Sequence, residues 1–198
     1  MSKLPPSQGI VEALRALQAA FAKLQCPAMV IGGLAAICHG VPRVTRDIDC
    51  TLPGDGLDYS ELLGVLAECE IRPRIDDAVP FAREAQVLLL VHTPSGVEID
   101  MSFAWMQFEL DALDQAVVVD LVGNPIKVAR PEDLVIYKVV AWRAQDRQDI
   151  ERLLRVHGGA VDIERVRRSV AQIAEILEDP DRVAEFEEIL ATVGLTAS

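Results

Sequence analysis

The chain reads as an α+β protein, a mixed sheet flanked by helices and followed by a C-terminal helical bundle. Three features of the 198-residue sequence predict this. Short apolar or alternating runs at residues 28–31, 47–52 and 97–103 are interleaved with helical stripes as far as about residue 129. Beyond Pro131 only helical patterns remain, so the expected division lies between residues 1–129 and 130–198. Hydrophobic residues make up 51% and charged residues 25% of the chain, enough apolar material for one good core with a smaller helical appendage.

Each element follows from a local pattern. Residues 8–25 place Ile10, Val11, Leu14, Leu17, Phe21 and Leu24 on one helical stripe, closed by Pro27. Residues 28–31 form a short buried strand, which Gly32-Gly33 turns into a brief helix reaching about Cys38. Gly40 and Pro42 break that helix, and a second strand over 47–52 ends at Pro53-Gly54. A helix is expected over 59–69, with Leu62, Leu63, Val65 and Leu66 on its apolar side. Strands near 71–75 and 85–92 precede the turn Pro94-Ser95-Gly96, which leads into a strand over 97–103 carrying Asp100. Residues 117–121 and 126–128 read as a hairpin around Gly123-Asn124. Pro131 stands at the first position of a long helix running to about His157, where Gly158-Gly159 stops it. Helices near 162–178 and 181–192 follow, separated by Asp179-Pro180. The sequence shows no internal repeat and no low-complexity segment.

Composition narrows the function classes. Glu12, Arg15 and Lys23 interrupt the apolar positions near the N-terminus, unlike a secretion signal, and the apolar run 87–91 is far too short to cross a bilayer. A cytoplasmic location without a membrane partner is therefore expected. The cysteines at 26, 38, 50 and 69 form no CxxC pair and have no histidine at ligand spacing, so buried thiols are expected rather than structural zinc. A net charge of −12 leaves no general basic footprint for nucleic acid. Arg152, Arg155, Arg165, Arg167 and Arg168 offer a local one, although a helix surface of mixed charge is the simpler reading.

The chemistry centres on Gly32-Gly33 and, fourteen residues on, Asp47-Ile48-Asp49. Acids spaced by one residue share a face of a strand, where like charges are unfavourable unless a cation lies between them. Magnesium, a hard cation that prefers oxygen ligands, suits that place. A di-glycine between strand and helix lets backbone N–H groups approach a phosphate closely. If the strand bearing Asp100 reaches the Asp47–Asp49 strand, three carboxylates converge and can hold two metal ions. One ion would serve the triphosphate at Asp47 and Asp49. The other, at Asp49 and Asp100, would lower the pKa of an attacking hydroxyl. Arg43, Thr45 and Arg46 precede the pair, where the guanidinium groups either clamp a triphosphate or neutralise the acids.

Lys138 is the one charge in the apolar run 134–142. On a continuous helix Asp149 lies about 16 Å along the axis, out of its reach, so its partner is expected elsewhere: a carboxylate of the sheet or a bound phosphate. A structural Lys–Asp bridge carries nearly equal weight. Arg143, Asp146 and Asp149 read more simply as a charged helix face, Glu185, Glu187 and Glu188 as solvent-facing, and His39 as packing or capping rather than a base.

Gly32-Gly33, the string Arg43-x-Thr45-x-Asp47-Ile48-Asp49 and Val97-Glu98-Ile99-Asp100 resemble the polymerase-β-like nucleotidyltransferase superfamily. The run Lys138-x4-Arg143-x2-Asp146-x2-Asp149-Ile150 is similar to the subgroup containing AbiEii-type toxins of abortive-infection systems. The resemblance spans roughly residues 28–155. It implies a nucleotidyltransferase-like fold, NTP as substrate, Gly32 and Gly33 on the triphosphate, and Asp47, Asp49 and Asp100 as metal-binding and catalytic residues with two Mg2+ ions. It also implies that Lys138 and Asp146 line the nucleotide or acceptor side. Many active members carry Gly-Ser where this chain has Gly-Gly, which removes a hydroxyl contact to phosphate.

The reading that results is metal-dependent transfer of an NMP group to an acceptor hydroxyl on RNA, protein or a small molecule such as an aminoglycoside. A toxin role would add a cognate antitoxin as partner. The competing readings are an inactive nucleotidyltransferase-fold binding module and, last, a carboxylate-metal nuclease, in which the di-glycine has no role.

Overall fold

A computed structural model describes residues 6–195, which divide into two compact units: residues 6–38 with 42–129, and residues 39–41 with 130–195. The first opens with α1 (Gln8–Leu24), whose N-terminus is capped by the Ser7 hydroxyl accepting the Ile10 N–H at 3.3 Å. Then come β1 (Met29–Val30), α2 (Gly32–Cys38), β2 (Asp47–Pro53), α3 (Tyr59–Glu68) and β3 (Ile71–Pro73). α4 (Ala78–Ala85), β4 (Val87–His92), β5 (Val97–Ala104), α5 (Gln107–Asp114), β6 (Val117–Leu121) and β7 (Asn124–Val128) complete it.

The described strands form one seven-stranded sheet in the order β3-β4-β5-β2-β1-β7-β6. β2 runs parallel to β5 and β1 parallel to β7, while the other pairs are antiparallel. Alternation decides which face is core. Ile48, Cys50 and Leu52 of β2 and Ile99, Met101 and Phe103 of β5 are buried, as are Ile10, Leu14 and Leu17 of α1 and Leu62 and Leu66 of α3. The residues between them on β2 and β5 therefore turn to the opposite face, which carries Asp49 and Asp100 beside Thr51 and Ser102.

The second unit is helical: α6 (Pro131–Ala141), α7 (Ala144–His157), α8 (Ile163–Ile176) and α9 (Asp181–Thr192). Its core draws Leu134, Ile136 and Val139 from α6, Ile150 and Leu153 from α7, Val166 and Val170 from α8, and Phe186 and Leu190 from α9. Each such side chain contributes roughly 1.5–3 kcal/mol on leaving water.

The structure departs from the sequence expectations at two places. α4 and α5 lie in segments where the sequence predicts no element, and the strand expected over 85–92 begins at Val87. Two turns of helix carry too short a stripe to be read by periodicity, and Pro80 lies in the first turn of α4, where a missing N–H costs nothing. The long helix expected over 131–157 is two helices. Trp142 adopts the left-handed conformation (φ 51°), its N–H closing on the Lys138 carbonyl at 2.8 Å. The indole Nε1–H donates to Glu185 at 2.7 Å, and the Arg182 and Arg147 guanidinium groups lie 5.7 and 6.0 Å from the ring centre. Those contacts hold a conformation rare for a bulky residue. No described helix is long and apolar enough to cross a membrane.

Candidate functional site

The di-glycine turn and the acid strand are built into one another. Gly32 takes φ +62°, and a Cβ there would fall inside the Asp49 carboxylate. Asp49 in turn accepts the Gly33 N–H at 3.4 Å through its side chain and the Ile31 N–H at 2.9 Å through its carbonyl. At Gly33 the space of a side chain is already filled: a Cβ would lie 2.7 Å from Thr45 Oγ1 and 2.9 Å from the Arg43 guanidinium. The missing serine of the Gly-Ser pair thus has a physical counterpart here, a hydroxyl and a guanidinium brought over the same glycine from the loop before β2. Thr45 Oγ1 donates to Asp47 at 2.7 Å, and Arg46 is exposed.

Register brings the acids together. Asp49 lies opposite Asp100 and Asp47 opposite Glu98 across the parallel pair β2–β5, so four carboxylates occupy a two-by-two block on one face. Like charges directly opposite are destabilising without compensation. Burial pushes the Asp100 carboxyl above the ordinary aspartate range; the Arg74 guanidinium opposes that, and the charges of Asp47 and Glu98 add to it. Arg74 bonds both Asp100 and, at 2.7 Å, Glu98.

Among the described residues no three His, Cys, Asp or Glu side chains are gathered into a ready-made ion cage. Asp47, Asp49 and Asp100 nonetheless fit the magnesium that the resemblance implies. They are hard oxygen donors on one face and at least partly accessible.

The sequence reading gives Glu98 and Arg74 no role. Glu98 is legible in retrospect, because Glu98-Ile99-Asp100 repeats the spacing of Asp47-Ile48-Asp49. Arg74 leaves no local signal, since only the pairing of β3, β4 and β5 carries it to the acids.

Lys138 requires a correction. Because the chain folds back after Trp142, its amine reaches Asp149 at 2.8 Å and Asp146 at 3.2 Å, the pairing that a continuous helix forbids. All three side chains are buried. Burial pushes the Asp146 carboxyl up, but the Arg143 bond at 2.7 Å and the Lys138 charge outweigh it and hold it below the usual range. A third buried acid, Asp133, is bound by Arg130 at 2.8 Å and Arg165 at 2.6 Å.

The remaining charges settle mostly into pairs. Arg155 pairs with Glu151 and Arg167 with Glu164 and Glu187, which favours a surface of mixed charge over a basic patch. Glu185 and Glu187 keep solvent exposure while Glu185 binds Trp142 and Arg147 and Glu187 binds Arg167. The His39 carbonyl accepts from His157 Nε2 at 2.7 Å, and the two rings meet edge-on at 5.6 Å. Cys38 and Cys50 are buried and Cys26 and Cys69 half-buried.

A family model described as "Nucleotidyltransferase of unknown function (DUF6036)" matches residues 8–191. The chain belongs to that family. No curated protein matches the sequence. Among solved structures, the chain is similar to ANT(2'')-Ia in complex with adenylyl-2''-tobramycin, at 17% identity and a TM-score of 0.56, covering 84% of this chain and 98% of that one. A solution structure of the antibiotic-resistance factor ANT(2'')-Ia gives 18% identity and a TM-score of 0.55, covering 90% and 95%. At these identities the likeness establishes the nucleotidyltransferase fold, with its mixed sheet and flanking helices.

Proposed function

We propose that this chain transfers a nucleotidyl group from an NTP to an acceptor hydroxyl. The observation that carries the reading is the register that sets Asp49 opposite Asp100, with Asp47 on the same face and the Gly32-Gly33 turn packed against Asp49. In this reading Gly32 and Gly33 hold the triphosphate through backbone N–H groups. Arg43 and Thr45, already seated over Gly33, supply the charge and the hydroxyl that a side chain there would otherwise bring. Asp47, Asp49 and Asp100 would hold Mg2+, two ions in the full site, which supplies charge neutralisation at the triphosphate and a lowered pKa at the attacking hydroxyl. Asp49 and Asp100, at the second ion, would orient that hydroxyl or receive its proton.

The acceptor we favour is a small cationic polyol of the aminoglycoside kind. A net charge of −12 attracts such a molecule and repels RNA. The AbiEii-type reading, with an RNA or protein acceptor and a cognate antitoxin in the cytoplasm, makes a different prediction for the same assay. Buried pairing supports a structural role for Lys138, Asp146 and Asp149, holding α7 against α6. The role on the nucleotide side that the resemblance implies for Lys138 and Asp146 is tested by their effect on NTP affinity.

The experiment supplies purified protein, Mg2+ and α-labelled NTPs to separate pools of aminoglycosides, tRNA and protein. Label should enter an aminoglycoside, and the double variant Asp47→Ala/Asp49→Ala should abolish transfer. Labelling of tRNA or protein would move the acceptor to the toxin reading. Activity that persists in the double variant would overturn the mechanism, and a chain that binds no nucleotide by calorimetry is a binding module.

A further inference from the structure

Arg74 is aligned with the acid block by the sheet itself. Its backbone N–H donates to the Leu89 carbonyl at 2.8 Å, and Leu89 is the β4 residue opposite Asp100. Arg74, one residue beyond β3, therefore forms one row with Leu89 of β4, Asp100 of β5 and Asp49 of β2. Two strand spacings, about 10 Å, separate the backbones of Arg74 and Asp100, a span that an extended arginine and an aspartate close together. The side chain is mostly covered (24% exposed), and its fork is divided: Nη2 bonds Asp100 and Nη1 bonds Glu98. Its Nε, also buried, has no hydrogen-bond partner.

We propose that Arg74 is a positioning residue that holds Asp100 in competition with the divalent cation. The proposal rests on the metal-site reading above. A guanidinium on Asp100 satisfies the carboxylate that the cation must take, so cation entry requires that bond to open. Glu98 gives the displaced fork a place to remain. The side chain of Glu98 is more than half exposed and lies beside Asp100 on the same strand face, so Arg74 can give up one carboxylate while staying tethered to the other. The two-by-two block thereby divides its labour: Asp47, Asp49 and Asp100 face the cation, and Glu98 keeps the arginine.

The test is calorimetric titration of MnCl2 into the full chain without nucleotide, for wild type, Arg74→Gln and Arg74→Lys, with folding checked by circular dichroism. Arg74→Gln should bind Mn2+ on the order of tenfold more tightly than wild type. Arg74→Lys keeps the charge but loses the fork, and should fall between the two. In an Asp100→Asn background the gain from Arg74→Gln should vanish. Equal or weaker Mn2+ binding by folded Arg74→Gln overturns the proposal, as does a Lys variant indistinguishable from wild type, which would assign the effect to net charge alone. If Asp49→Asn abolishes Mn2+ binding while the Arg74 variants change nothing, the proposal fails and the metal site stands. If neither wild type nor Arg74→Gln binds Mn2+, both fall.

Discussion

Lys138→Met removes the ammonium from a buried trio while conserving most of the side-chain volume. Lys138 is 4% exposed and bonds Asp149, itself fully buried, at 2.8 Å and Asp146 at 3.2 Å. After the substitution Asp146 keeps Arg143, with its Nε at 2.7 Å and its backbone N–H at 3.2 Å. Asp149 keeps Gln145 Nε2 at 3.4 Å and the Arg152 guanidinium at 3.8 Å. The cost is that of breaking a buried pair, typically 3–5 kcal/mol, and falls near the low end, about 3 kcal/mol, because both carboxylates keep other donors. For a chain of this length that corresponds to a fall in Tm of roughly 6–12 °C. Urea denaturation followed by circular dichroism measures it. Adding Asp149→Asn should recover at least about 1 kcal/mol, because the charge that Lys138 neutralised is then gone. A single variant costing less than about 1 kcal/mol, or a double variant no better than the single, would refute the account of Lys138 as the counter-charge of this core.

Three further outcomes follow from the same geometry. Gly32→Ala must place an alanine at φ +62°, at a cost of roughly 1–2 kcal/mol, and must also push the Asp49 carboxylate aside; thermal melts should show lower stability and calorimetry a loss of Mg-NTP binding, and binding that survives would separate the turn from the acid. Asp100 has a folded pKa above its unfolded value of about 3.9, so the folded state binds more protons between the two values and stability falls as pH rises through that window. Asp100→Asn should therefore be more stable than wild type at pH 7, with the gap closing in acid; a variant less stable at pH 7 would contradict this. Asp146 has the opposite sign: its folded pKa is depressed, so it contributes stability above about pH 3.9 that is lost as pH falls through the folded value. Urea midpoints of Asp146→Asn and wild type should differ at pH 7 and converge in strong acid, and a gap independent of pH would refute the linkage.

What is legible in the sequence is whatever a strand or helix writes in its own period. Alternation exposes the core face of β2 and β5, and with it the shared face of Asp47 and Asp49. Gly32-Gly33 is legible because few residues tolerate that backbone next to a carboxylate. The break at Trp142 is not, since no glycine or proline marks it and the residues that hold it, Arg147, Arg182 and Glu185, come from elsewhere in the helical unit. The distance argument separating Lys138 from Asp149 fails for that reason alone. Arg74 is illegible for a related cause: its meaning depends on three strand pairings, each set by tertiary packing.

The parallel pairing of β2 with β5 also carries a kinetic consequence. β4 meets β5 through a short turn and β1 meets β2 across a connection that holds α2, but Asp49 and Asp100 lie 51 positions apart along the chain. Closing so long a loop is entropically slower than forming the β4–β5 hairpin or the β1–β2 pair. The two halves of the acid block therefore meet late, when most of the sheet is already in place, and any partial unfolding that frees β5 from β2 dismantles the site before the local hairpins melt.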